Sequence, residues 1–323
     1  MLIRLKALGD IVFTLPAVHC IREAFPQARI TFMVSKEYAP LLEGFAPVDE
    51  ILALDRGRYR GFHPKEIVAE TLRLLGALRR NRFSLAVDFQ GYGETALFTW
   101  CSGAPQRWGN CYRPGRKWAY TRAITRDNNL HPIEGHLALL RQAGLPAGSF
   151  ANQFRLPGNA LESAQNLFAK LGLHLARATV FIQPFTSSPH KDWPLERYLA
   201  SARHWRERGL QVLFGGGPAD SAALEPARQA GFAVAAGAPL LQSAGLVSLS
   251  TVVVGGDTGL LHLAAAMDKP VVMIMGSTGP GTCVPFGNRH LAVVPPAGLP
   301  VAAVAPETVE AACARGLAQF QPA

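Results

Sequence analysis

Four short stretches of this chain carry side chains able to hold or move charge, and each follows an apolar run of strand length. At 257–262, Asp-Thr-Gly-Leu-Leu-His stands between the runs Val252–Val254 and Val271–Met275. Asp257 or Thr258 can cap the first free N–H groups of a helix, and Gly259 lets the backbone approach a ligand closely. A helix N-terminus at the carboxyl edge of a parallel sheet favours phosphate, although the same residues also make a well-capped βαβ connection. His262 falls in the first turn of that helix, as a ligand or as a positioner of the turn. After a strand ending near Ile182, Thr186, Ser187 and Ser188 offer hydroxyls and Lys191 a cation. That set suits an anion such as phosphate, or else forms an ST-turn with a solvated lysine. Asp220 follows the glycines 215–217, placed to bind ribose hydroxyls, though the usual dinucleotide fingerprint spaces its acid differently. Near the start, Asp10 follows the first strand and precedes a helix, where a carboxylate caps that helix or takes a proton from a substrate hydroxyl. The chain has no GxGxxG, GxxxxGK[ST] or GxSxG, and no Asp-x-Asp pair to hold a divalent metal against a diphosphate.

These residues need strand ends to position them, and the hydrophobic pattern supplies strands. In the first half, strands are expected at Leu2–Leu5, Arg29–Val34, Glu50–Leu54 and Leu85–Phe89. Helices are expected at Ile11–Ala24, Ala39–Leu42, Glu66–Arg80 and Glu134–Gln142, with residues 103–131 loop-like because they are rich in Gly, Pro, Arg and aromatics. The second half repeats the alternation: helices at Ala160–Leu171, Leu195–Arg208 and Pro306–Phe320, strands at Thr179–Gln183, Gln211–Phe214 and Gly231–Ala235, then the two valine-rich runs. Alternating βαβα order predicts doubly wound parallel sheets. Turn residues at 145–158 mark the linker, giving an N-terminal domain 1–157, a C-terminal domain 158–305, and a terminal helix 306–323 expected to pack back toward the N-terminal domain.

At 323 residues, 49% hydrophobic and 17% charged, the chain is a folded protein of two-domain size. It has no uninterrupted apolar run of about 18 residues, and Asp10 breaks the one segment that resembles a signal peptide, so a cytoplasmic protein is expected. Five scattered cysteines without a CxxC pair read as free thiols. The net charge of +9 is lopsided. Residues 1–157 hold 21 Lys/Arg against 13 Asp/Glu, and residues 158–323 hold 11 against 10. The excess gathers at Arg56, Arg58, Arg60 and Lys65, then at Arg113, Arg116, Lys117, Arg122 and Arg126. Such a patch meets an anionic partner or is a solvated basic face; it lacks the interleaved aromatic platform of a nucleic-acid binder.

Taken together, these stretches resemble glycosyltransferase family 9, the bacterial heptosyltransferases of lipopolysaccharide core assembly. The resemblance runs nearly end to end: IRLKALGDIVFTLPAV at the start, RFSLAVDFQGYGETAL at 82–97, GAPQRWG at 103–109, EGHLALLRQAGL at 134–145, HKDWP at 190–194, GGPAD at 216–220 and DTGLLHLAAAMDKPVVMIMGSTGP at 257–280. It implies a GT-B fold, two Rossmann-like doubly wound parallel-sheet domains facing across a cleft. It also implies metal-independent, inverting transfer from ADP-L-glycero-β-D-manno-heptose to an acidic Kdo-lipid A type acceptor at the inner membrane face, with no cofactor beyond the nucleotide-sugar. By the same resemblance Asp10 is the catalytic base. Thr186, Ser187, Lys191, Asp220, Asp257, Thr258, Gly259 and His262 are the donor-binding set. Charge and domain position add Arg56, Arg58, Arg60, Lys65, Arg113, Arg116 and Lys117 as acceptor contacts. The expected partners are a nucleotide-sugar, an anionic glycolipid and, peripherally, the inner membrane, and not nucleic acid. The alternatives are a family member with another nucleotide-sugar or acceptor, a related sugar-nucleotide epimerase, and a non-catalytic protein that binds nucleotide-sugar or anionic lipid. Asp220 stands where relatives often carry Glu, and its shorter side chain leaves the ribose contact indirect.

Overall fold

The computed structural model describes residues 1–43, 45–57, 64–111, 113–125, 127, 129–148, 154–276 and 283–319. The chain divides into two compact units, Met1–Ala151 and Asn152–Ala323. The first holds strands β1 (Leu2–Ile3), β2 (Thr31–Ser35), β3 (Glu50–Leu54), β4 (Leu85–Asp88), β5 (Gln106–Cys111) and β6 (Arg122–Thr125). They form one sheet in the order β3-β2-β1-β4-β5-β6, with every pairing parallel. The second holds β7 (Thr179–Gln183), β8 (Gln211–Gly216), β9 (Ala233–Ala236), β10 (Val252–Gly256) and β11 (Val271–Ile274), also parallel, in the order β11-β10-β7-β8-β9.

Both orders are the doubly wound, Rossmann-like arrangement, in which the chain starts in the middle of the sheet, winds to one edge, then returns to wind toward the other. The strand sequences explain why helices cover both faces. All five residues of β7 are buried. Val180 and Ile182 enter one core with Trp193, Tyr198 and Phe214, while Phe181 enters another with Phe168, Leu213 and Met273. Alternate side chains of one strand thus feed two apolar layers, which only a sheet buried on both sides requires.

Two local expectations differ from the structure. The helix expected over Ile11–Ala24 is two helices, Leu8–Val12 and Leu15–Ala24. The Thr14 hydroxyl donates to the Ile11 carbonyl at 2.6 Å, and Pro16, which has no N–H, sits in the first turn of the second helix. The stretch 103–131 is not a loop: it contributes β5, a 3₁₀ turn at Pro114–Ala119 and the edge strand β6. Its turn-forming residues have packing reasons. A Cβ at Gly109 would come within 2.2 Å of the Tyr120 ring, so glycine is what lets that ring cover the strand. The C-terminal helix Pro306–Ala318 buries Val309, Ala312 and Cys313 in the second unit's core.

Candidate active site

Doubly wound sheets bind ligands where successive connections leave the sheet in opposite directions, at the carboxyl ends of the two central strands. In the first unit that point lies between β1 and β4, and Asp10 is there. It occupies the first turn of Leu8–Val12. Its Oδ2 accepts from the Ala7 N–H at 3.2 Å and pairs with Arg4 Nη2 at 2.5 Å. Among the described residues Oδ1 makes no hydrogen bond, and the side chain is 39% exposed. One oxygen is therefore fixed while the other is open to a substrate proton, the arrangement a general base requires.

Arg4 is 3% exposed and also donates from Nη1 to the Phe89 carbonyl at 3.0 Å, tying the carboxylate to the end of β4. Beside it, Gln90 Oε1 accepts from the N–H groups of Leu5 and Lys6 at 2.8 and 3.3 Å. Asp88 organises that corner. Its Oδ1 accepts from the Gln90 and Gly91 N–H groups at 2.8 and 2.9 Å, and its Oδ2 accepts from the Tyr120 hydroxyl at 2.7 Å. Burial pushes the Asp88 pKa up, with these hydrogen bonds opposing the rise; burial and the neighbouring Asp88 push Tyr120 up as well, so Tyr120 is the donor. The sequence alone does not mark Arg4, Asp88, Gln90 or Tyr120 as part of the site. The available signal was an acid closing an apolar strand and followed by Gln-Gly.

The basic residues around this corner divide. Arg56 pairs with Glu94 at 3.4 Å, and Arg116 donates to the Gly91 carbonyl at 2.8 Å, next to the Asp88 network. Burial and the charges of Glu37 and Asp10 raise the pKa of Tyr38, and Arg56 lowers it, so Asp10 and Arg56 both act on the same phenol. Lys65, Arg113 and Lys117 are exposed. Arg58 and Arg60 lie outside the described residues.

In the second unit the corresponding point lies between β7 and β10. Lys191, after β7, places Nζ 3.3 Å from Asp257 Oδ2, after β10, and His262 Nε2 lies 3.1 Å from Asp257 Oδ1. Burial drives the Asp257 pKa upward, but His262 and Lys191 outweigh it and hold the carboxyl below its ordinary value. The helix cap belongs to Thr258, which accepts from the Leu261 N–H at 3.5 Å, while Asp257 takes the two side-chain partners. At the start of the helix Gly259–Ala266 the N–H groups of Gly259 and Leu260 are unpaired among the described residues. Thr186 is locked in a turn: its N–H donates to Asp192 Oδ1 at 2.7 Å, and its hydroxyl donates to the Ser188 carbonyl at 2.9 Å and accepts the Ser188 N–H at 3.1 Å. The ST-turn is real, but the lysine that follows it is paired and only 23% exposed. Ser187 is exposed on that turn. Asp220 closes its own turn, Oδ2 accepting from the Gly217 N–H at 2.7 Å, and among the described residues no hydrogen bond or ion pair joins it to Lys191 or Asp257.

The family model described as glycosyltransferase family 9 (heptosyltransferase) matches residues 71–298. Lipopolysaccharide heptosyltransferase 1 of Escherichia coli K12 is 23% identical over 306 residues, covering 90% of this chain and 92% of its own. A family 9 glycosyltransferase from Veillonella parvula superposes with a TM-score of 0.88 at 20% identity, covering 99% of this chain and 97% of its own. The E. coli heptosyltransferase WaaC with ADP superposes at 0.83 and 21% identity, covering 98% of each chain. The family match spans both strand crossovers' second strands, β4 and β10, and the charged residues that follow them. The chain belongs to glycosyltransferase family 9 and is a glycosyltransferase of the GT-B fold class.

Proposed function

We propose that this glycosyltransferase transfers a heptose from ADP-L-glycero-β-D-manno-heptose to an acidic lipopolysaccharide inner-core acceptor, with inversion and without a metal. The observation that carries the reading is the half-free Asp10 carboxylate, one oxygen fixed by Arg4 and the other open. Asp10 Oδ1 takes the proton of the acceptor hydroxyl as that oxygen attacks the anomeric carbon. The bond from that carbon to the β-phosphate oxygen breaks on the opposite face, and ADP leaves with the electron pair. Charge gathers on the diphosphate, where Lys191 and the N–H groups at the start of Gly259–Ala266 supply the positive field. Asp257 holds Lys191 in place and, with His262, faces the sugar hydroxyls. On the acceptor side, Arg56, Lys65 and Arg116 face the carboxylates and phosphates of the glycolipid. The similarity to a lipopolysaccharide heptosyltransferase and to a heptosyltransferase structure with ADP supports this choice of donor and acceptor.

The test is direct. The purified chain is mixed with ADP-heptose and a panel of Kdo-lipid A acceptors, ADP release and product mass are followed, and the anomeric configuration is read by NMR. Acceptor-dependent ADP release with one added heptose and inverted configuration is expected. ADP binding without turnover on any acceptor makes the chain a binding protein and overturns the proposal.

A further inference from the structure

The stretch from Thr95 to Arg126 holds six Lys/Arg, three tryptophans and no Asp or Glu. In the structure two of those tryptophans stay in water. Trp100, on the helix Gly93–Cys101, is 50% exposed, and Trp118, in the turn Pro114–Ala119, is 56% exposed. They meet edge to face, ring centroids 6.1 Å apart. Leu97, one turn before Trp100 on the same helix face, is 48% exposed. The chain's other tryptophans, Trp108, Trp193 and Trp205, are buried, so this exposure is not a general habit of the fold. Arg113 and Lys117 flank Trp118, exposed and without an ion pair among the described residues. Arg79 comes up at the far end of the Trp100 helix, its Nη1 3.7 Å from where a Cβ on Gly103 would lie.

We infer that this face docks the protein on an anionic bilayer, with Trp100, Trp118 and Leu97 entering the interface and Arg79, Arg113 and Lys117 meeting the headgroups. Scattered exposed apolar residues need no partner, but two touching tryptophans, one on a turn that also carries exposed Arg113 and Lys117, have the composition of an interfacial anchor. Indole rings settle at headgroup depth because one end is apolar and the N–H is polar. Lys and Arg near the surface add attraction that fades within a Debye length. The rings cross at 69°, which leaves no flat platform for stacked bases and disfavours a nucleic acid as the occupant. The inference goes beyond the proposed transfer reaction and does not depend on which sugar is moved.

The intact chain is titrated with phosphatidylethanolamine–phosphatidylglycerol vesicles and, in parallel, with phosphatidylcholine vesicles, neither holding any glycolipid acceptor. Co-sedimentation and tryptophan emission are recorded. Binding to the anionic vesicles alone, with a blue shift and with loss at high salt, is expected. Because the other tryptophans are buried, the shift reports Trp100 and Trp118. The double variant Trp100→Ser/Trp118→Ser should lose the blue shift and bind at least about tenfold more weakly, with an unchanged thermal midpoint. If that variant unfolds, Arg113→Glu/Lys117→Glu tests the same face through charge and should abolish anionic binding. No binding to anionic vesicles overturns the inference, as does binding that survives both variants. Self-association that is lost in the tryptophan variant would assign the face to a second copy instead.

Discussion

Gly256 closes β10 one residue before Asp257, and a single methyl group there tests how the second unit's site is built. Its φ is not left-handed, so alanine carries no backbone strain. The penalty is steric: a Cβ would lie 2.5 Å from Thr186 Cγ2. Ordinary carbon contacts sit at about 3.5–4.0 Å, so one partner must retreat by about 1 Å or more. The strand is the less yielding partner, since β10 is paired on both sides and all five of its residues are buried. The turn at 186–192 is tied mainly by its own bonds to Ser188 and Asp192. The strain therefore falls on the turn that carries Lys191 and drags Nζ from Asp257. Overpacking of this size costs about 1–3 kcal/mol, or about 5- to 150-fold if it is expressed in donor binding.

The assay is calorimetric titration of ADP into Gly256→Ala, with thermal unfolding alongside. A weaker ADP affinity in that range with a small change in midpoint is expected. Thr186→Ser removes only Cγ2 and keeps the hydroxyl that makes the turn. The double variant should recover most of the affinity, and the double-mutant cycle isolates the clash itself. Equal ADP affinity in wild type and Gly256→Ala, or failure of Thr186→Ser to rescue, would refute the reasoning.

Asp10→Asn should lower kcat by about 10²- to 10⁴-fold while ADP affinity and thermal midpoint stay at wild-type values, measured by ADP release and calorimetry. Arg4→Met releases the fixed oxygen of the Asp10 carboxylate and should lower kcat by about 10- to 100-fold with ADP affinity unchanged, whereas Arg4→Lys, which keeps the charge, should recover part of the loss; steady-state kinetics of the two variants decide it. Asp257 has a depressed pKa in the folded chain, so its stabilising contribution is complete above the ordinary carboxylate range near about pH 4 and is lost as pH falls through the lower folded value. Asp257→Asn should therefore flatten the acid limb of a plot of thermal midpoint against pH, with parallel curves counting against that assignment.

Much of the fold was legible because buried parallel strands write themselves as apolar runs. Val252–Val254 has no other economical reading, and β3 and β7 match their expected limits. The failure at 103–131 is equally physical. β6 is an edge strand with no fully buried residue, and β5 carries Gln106, Arg107, Gly109 and Asn110, so neither shows the apolar signature. Pro16 marks the break between Leu8–Val12 and Leu15–Ala24, while the apolar spacing over 11–24 by itself reads as one helix. Among site residues, Asp10, Lys191 and Asp257 could be named because each follows a strand. Their partners could not. Asp88 meets Tyr120 across 32 positions and Lys191 meets Asp257 across 66, and only the strand order sets those separations to zero.

That strand order is also why the two units solve different problems with one geometry. In each, the first and fourth strands lie side by side, so the segment after the first can be braced by the segment after the fourth. The first unit braces rigidly: Asp88 and Gln90 fix the backbone, Arg4 fixes one oxygen of Asp10, and the buried groups leave a single open acceptor atom. A base that must meet one hydroxyl proton gains from such restriction, since orientation contributes directly to rate. The second unit braces through charge, with Lys191 and His262 converging on a half-buried Asp257 at the start of the helix Gly259–Ala266. A diphosphate bound there can draw Lys191 away from Asp257, exchanging one anion for another at little electrostatic cost. If these residues hold the donor as proposed, the Lys191–Asp257 pair is the resting form of that site. ADP should then loosen it, and Asp257→Asn, which frees the lysine beforehand, should weaken ADP binding far less than Lys191→Met does.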